Sequence, residues 1–226
     1  MTMTPQERWT AVDRYITDQL VESDAALEQA LAASAAAGLP PIHVSPNQGK
    51  LLQLLARCCG ARNILEIGTL AAYSTIWLAR ALPAEGKLIT LEADAKHAEI
   101  ARANLKRAGL EEKVELVLGR ALETLPRLAA EKRGPFDLIF IDADKPSTAD
   151  YFDWAVKLSR GPGSLIVIDN VVRKGEVIDA ASSDANVQGV RRFYQRLAAE
   201  KRVSATAIQT VGSKGYDGLA IGMVSG

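Results

Sequence analysis

Cysteine is nearly absent: two residues, Cys58 and Cys59, stand side by side in a chain of 226. On a helix, consecutive side chains point apart, so an ordinary disulfide between them does not fit, and reduced thiols in a cytoplasmic protein are expected. Net charge is missing too, because 27 basic residues balance 27 acidic ones. That balance argues against nucleic acid or an anionic membrane as the main partner and leaves room for a local basic patch. No apolar run reaches membrane-spanning length, and residues 1–9 are polar, without an apolar signal region. Internal repeats and low-complexity linkers are also lacking. Finally, the G-x-G-x-x-G fingerprint of dinucleotide-binding turns is broken, since Leu70 and Tyr73 occupy the places of its later glycines. What remains is a chain 48% hydrophobic and 24% charged, of a length suited to one domain with a sizeable core.

Apolar residues Trp9, Val12, Ile16 and Leu20 recur at helical spacing, and an alanine-rich stretch follows over 24–37. Residues 6–37 therefore read as helical, within an N-terminal extension over 1–41 that serves packing or dimer formation. Ser45-Pro46 opens the next helix, with serine as N-cap and proline at the first helical position, and Gly60 ends it. From there strands are expected over 64–67, 87–92, 114–118, 136–141, 164–168, 203–208 and 219–224. Helices are expected between them over 74–82, 95–108, 121–132, 149–158 and 186–199, the third broken near its start by Pro126. Apolar runs such as Leu138-Ile139-Phe140-Ile141, separated by helices, specify an α/β fold with a mostly parallel sheet covered on both faces. The last two strands have a short connection and pair antiparallel.

The hinge of the pattern is Ile64-Leu65-Glu66-Ile67-Gly68-Thr69. A strand, a tight turn at Gly68 and a helix form the place where parallel sheets receive nucleotide-like ligands. Glu66 sets a negative charge where a pyrophosphate would lie, which suits a cationic ligand and speaks for a sulfonium cofactor over a nicotinamide. An ordinary strand–helix junction is the competing reading. Glu92 ends the second strand, 24 residues after Gly68, about the spacing at which an acid meets ribose hydroxyls. Asp142 and the pair Asp169-Asn170 end the fourth and fifth strands. Alone, Asp142 reads as a helix cap. Together, two carboxylates and an amide oxygen make a hard ligand set for Mg²⁺, Mn²⁺ or Ca²⁺. Lys145 follows three residues after Asp142, with Pro146 keeping the segment out of helix. An amine beside a divalent cation is pushed towards its neutral form and suits a general base; a solvated loop lysine is the alternative.

These motifs resemble the cation-dependent class I S-adenosylmethionine O-methyltransferases, the group of catechol and caffeoyl-coenzyme A O-methyltransferases and their bacterial relatives. The resemblance rests on His43-Val44-Ser45-Pro46, Leu65-Glu66-Ile67-Gly68-Thr69 with Tyr73-Ser74, Leu91-Glu92, the run FDLIFIDADK over 136–145, Ile168-Asp169-Asn170 and Asp217-Gly218-Leu219. It implies a Rossmann-like, seven-stranded sheet with one antiparallel strand, added N-terminal helices and a homodimer. It implies that Val44, Glu66, Gly68, Thr69, Ser74 and Glu92 contact the cofactor, Asp142 with them, and that Ala93 and Ala121 lie near the adenine. Asp142, Asp169 and Asn170 would hold the metal, Lys145 would take a phenol proton and Asp217 would border the acceptor. The acceptor would be a small vicinal diphenol, with segment 173–186 as a cover over it. The rivals are methylation of a hydroxylated tRNA base, to which Arg173, Lys174, Arg191 and Arg192 could contribute, and a nicotinamide-dependent oxidoreductase.

Overall fold

The computed structural model describes residues 3–22 and 24–226. The N-terminal region forms two helices, Pro5–Leu20 (α1) and Ala25–Ala36 (α2), within the stretch 6–37 expected to be helical. Each start has its own cap. Thr4 and Glu7 form a reciprocal capping box for α1, and the Asp24 carboxylate accepts the Ala26 and Leu27 amides at α2. Pro46–Cys58 (α3) begins as expected, with Ser45 Oγ accepting the Gln48 amide at 3.2 Å.

Strands Asn63–Ile67 (β1), Lys87–Glu92 (β2), Val114–Leu118 (β3), Leu138–Ile141 (β4) and Leu165–Asp169 (β5) alternate with helices Tyr73–Ala79 (α4), Ala95–Arg107 (α5), Ala121–Ala130 (α6) and Thr148–Leu158 (α7). Ala185–Ala199 (α8) then leads to a hairpin of Val203–Gly212 (β6) and Gly215–Val224 (β7). The seven strands lie in the order β3-β2-β1-β4-β5-β7-β6, and β7 runs antiparallel to both of its neighbours. Side chains along the central strands alternate between two cores. Ile64, Leu138 and Phe140 pack with Ile76 and Leu78 of α4 on one face. Leu65, Ile139 and Ile141 pack with Leu125, Phe152 and Phe193 on the other. Period-2 alternation with both faces apolar is what a sheet covered by helices on each side requires.

Two further expectations change. Helix α6 continues through Pro126. Proline removes one intrahelical bond there, while buried Leu125 and Leu128 keep the helix seated on the sheet. The hairpin strands extend to Gly212 and from Gly215, well past the apolar stretches. Residues 209–211 are exposed and lie beyond the apolar stretch, so backbone pairing with β7 makes the strand where the hydrophobic pattern is silent.

Candidate active site

The order of β1 reverses the winding of the sheet: β2 lies on one side and β4 on the other. Crevices open at the C-terminal ends of strands at such switch points. A cavity of 480 Å³ occupies this place. Gly68 makes the close approach possible. Its φ is +98°, and a Cβ there would sit 2.2 Å from the Asp142 carbonyl oxygen. Leu70, in the place of one missing glycine, and Ala72, the N-cap of α4, take left-handed conformations at φ of 52° and 65°. Each costs on the order of 1 kcal/mol, so something must hold them.

Two carboxylates hold this turn. Glu92 Oε2 accepts the Thr69 and Leu70 amides at 3.2 and 2.7 Å, and Oε1 accepts the Ala93 and Asp94 amides at 2.9 Å each. Glu92 lines the cavity as expected, yet the roughly four acceptor positions of its carboxylate are already engaged by backbone N–H groups. A ribose diol reaching it must share or replace those amides. Glu66 differs more from its expected role. It is fully buried and is absent from the cavity wall. Its Oε1 accepts the Ser74 hydroxyl at 2.7 Å, and Oε2 accepts Thr75 and Thr90 at 2.5 and 2.7 Å. Burial pushes its pKa up to about 7 against the lowering effect of these three hydroxyls. The charge argument drawn from its sequence position therefore fails: Glu66 braces the turn from beneath and does not face a ligand as an open anion.

Val44, Gly68, Thr69, Ser74, Ala93 and Ala121 all line the cavity, as do Asp142, Lys145 and Asn170. The strand order sets Ala121 and Ala93 towards one end and Asp142 and Asn170 towards the other. Asp142 and Asp169 follow register partners Ile141 and Ile168 on neighbouring strands. Asp169 is buried behind the wall, where its Oδ1 accepts the Asn170 amide at 2.8 Å. Its pKa is raised, first by burial and then by the charge of Asp142, and Lys145 opposes the rise. Lys145 Nζ lies 2.9 Å from Asp142 Oδ1. Gly189 lets α8 press on this segment, since a Cβ there would come within 2.2 Å of the Lys145 carbonyl oxygen.

Among the described residues no group of three or more His, Cys, Asp and Glu side chains is placed for a metal. The set at hand is two carboxylates and one amide, all oxygen donors. Two neighbouring anions, one of them desolvated, are the arrangement that an added hard cation relieves, so the residues fit such an ion.

Asp217 is placed otherwise than expected. Its Oδ1 accepts the Val172, Arg173 and Gly218 amides at 3.0, 2.9 and 3.0 Å, and it is not part of the cavity wall. Arg173, which it positions, does line the cavity, as does Asn186 at the other end of the segment expected to cover the acceptor. Sequence reading also missed His43, His97 and Tyr151 as wall residues. His43 is held neutral, its pKa lowered to about 4 by burial and then by Lys214, whose Nζ is 3.1 Å from Nε2. Tyr151 donates to Asp144, and burial with that carboxylate's hydrogen bond raises its pKa. His43 sits within a motif singled out in the sequence, but nothing there signals its neighbour Lys214, 171 residues away.

A family model described as O-methyltransferase matches residues 17–220. The catechol O-methyltransferase of Niastella koreensis is 57% identical over 214 residues, 95% of this chain and 96% of that protein. The catechol O-methyltransferase of Mycobacterium tuberculosis is 51% identical over 224 residues, 99% of this chain and 100% of its own length. Among solved structures, the O-methyltransferase of Bacillus cereus in complex with SAH has a TM-score of 0.96 at 59% identity, covering 97% of this chain and 100% of that one. TomG of Streptomyces achromogenes, an O-methyltransferase of tomaymycin synthesis in complex with SAM, gives 0.96 at 51% identity, covering 99% of this chain and 100% of its own. With the seven-stranded sheet, its antiparallel β7 and the crevice at β1 already in place, these matches establish that the chain belongs to the O-methyltransferase family.

Proposed function

We propose that this chain transfers a methyl group from S-adenosylmethionine to one hydroxyl of a vicinal diphenol, aided by a divalent cation. The observation that carries the reading is a single cavity walled jointly by the Gly68–Glu92 turn and by Asp142, Lys145 and Asn170. The family membership and the names of the two catechol O-methyltransferases support it. The whole chain acts as one methyltransferase domain with residues 1–41 as its helical extension, and a cytoplasmic location is expected.

S-adenosylmethionine supplies a methyl group activated on a sulfonium sulfur. Asp142, Asp169 and Asn170 would hold the cation, Mg²⁺ or alternatively Mn²⁺ or Ca²⁺, which supplies Lewis-acid polarisation of a phenolic oxygen. The Gly68 turn, fixed by Glu66 and Glu92, presents Thr69 and Ser74 to the cofactor, while Val44, Ala93 and Ala121 enclose it. Lys145 Nζ takes the proton from the attacking hydroxyl; the new O–CH₃ bond forms as the S–CH₃ bond breaks, leaving a neutral sulfide. Orienting the two reactants in one walled cavity can lower the barrier by on the order of 7–11 kcal/mol. A second copy of the chain is the expected macromolecular partner. It would cover the apolar side chains Val12, Tyr15, Ile16 and Leu20 that α1 leaves exposed. Support for a tRNA acceptor is thin, since Arg191 and Arg192 are bonded to the Val177 and Pro146 carbonyl oxygens.

The test is methylation of catechol by the purified chain with and without Mg²⁺ after exhaustive chelation, in parallel with Lys145→Met. Activity that depends on added Mg²⁺ and falls by about 10²-fold or more in the variant is expected. Full turnover in chelator, or no methylation of any vicinal diphenol, would remove the reading.

A further inference from the structure

Arg173 is placed with unusual care for a loop residue. Its backbone φ is +54°, and Lys174 and Gly175 after it are also left-handed, at 56° and 92°. Asp217 holds that conformation through the Val172 and Arg173 amides. Arg173 lines the cavity three residues beyond Asn170. It forms no hydrogen bond: the Asp217 Oδ2 contact is 3.6 Å long, and Nε is buried without a partner. Its side chain is half-buried, 28% exposed. Lys145, another basic side chain of the wall, is bonded to Asp142. Asp217, and at longer range Asp184, offset part of the charge on Arg173. Neither takes up its hydrogen-bonding capacity. A planar donor fork of five N–H groups with no hydrogen bond spent matches a carboxylate in two parallel bonds.

We infer that Arg173 is a specificity residue that receives a carboxylate carried by the acceptor, so that the preferred substrates are diphenolic acids. The inference rests on the vicinal-diphenol reading above. Asn170 and Arg173 leave the end of β5 within one short turn, so an aromatic ring with its hydroxyls towards Asp142 and Asn170 can present a ring substituent to the guanidinium. A neutral substituent would leave the fork unpaired, and an ammonium would be repelled by it.

The experiment measures binding by calorimetry to the full chain loaded with S-adenosylhomocysteine and Mg²⁺. Three ligands with vicinal hydroxyls and one ring are compared: a dihydroxybenzoate, its amide and the corresponding benzylamine. The wild type is expected to bind the acid about tenfold tighter than the amide, with the amine weakest. In Arg173→Met the acid should lose that advantage, and in Arg173→Lys, a point charge without the fork, it should keep part of it. In turnover the difference should appear in KM more than in kcat. Equal affinity of acid and amide in the wild type, which needs no variant to fold, would overturn the assignment. So would an acid preference that survives Arg173→Met. If the amide is bound and methylated without any preference for the acid, the diphenol reading stands and Arg173 loses its role. If none of the three is bound or methylated, both fall.

Discussion

Replacing Glu66 by Gln tests the buried brace beneath the Gly68 turn. The carboxyl is fully buried, and its pKa rises from 4.5 to about 7. Between these values the folded protein binds more protons than the unfolded chain, so this group's contribution to stability declines as pH rises through that window. A rise of that size corresponds to about 3 kcal/mol once Glu66 is ionised in both states. Gln has the same shape and no charge. Its carbonyl oxygen can accept Thr75 and Thr90 where Oε2 does now, and its amide can donate to Ser74, whose hydroxyl turns to accept. The variant therefore keeps three hydrogen bonds and loses the pH-dependent penalty. Urea unfolding of both proteins without cofactor, from about pH 4.5 to about pH 8, measures the difference. The expected result is a gap that shifts in favour of Gln by about 2–3 kcal/mol across the range, with near parity at its acid end. The raised Asp169 is common to both proteins and drops out of the comparison. A gap that stays constant with pH would refute the reasoning, because Glu66 would then be ionised without cost in its buried site.

Glu92→Gln should act in the opposite sense. An amide nitrogen cannot accept, so two of the four backbone N–H groups now bonded to the carboxylate would face a donor. A loss of about 2–4 kcal/mol in urea unfolding is expected, with weaker S-adenosylhomocysteine binding; a change below about 1 kcal/mol would mean the amides do not depend on Glu92. For the exposed face of α1, sedimentation should find a dimer of the wild type that dissociates when Ile16 and Leu20 are both changed to Glu, with the circular dichroism unchanged. A monomeric wild type would end that proposal.

Much of the wall was legible because it is written in contiguous motifs at strand ends. Apolar runs fix the strands, the strands fix which residue comes next at the rim, and so Gly68, Glu92, Asp142, Lys145 and Asn170 could be named from spacing. The hairpin was read too short because residues 209–212 and 215–218 carry no apolar run and are strands by pairing alone. Asp217 was expected to border the acceptor for a similar reason: its motif marks it as polar and near the last loop, while its bonds to the Val172 and Arg173 amides, which keep it out of the cavity wall, appear only in the fold.

By itself, then, the sequence determined the parallel α/β architecture, the crevice after β1 and the set of polar residues delivered to it, since periodicity and turn chemistry are local properties. Tertiary structure alone decided which of those polar groups lines the cavity. Glu66 and Glu92 are both acids beside the same turn, yet one is sealed under three hydroxyls with its pKa raised by burial and the other opens on the cavity. Burial and hydrogen-bond partners set the charge and direction of a side chain, and these come from residues distant in the chain.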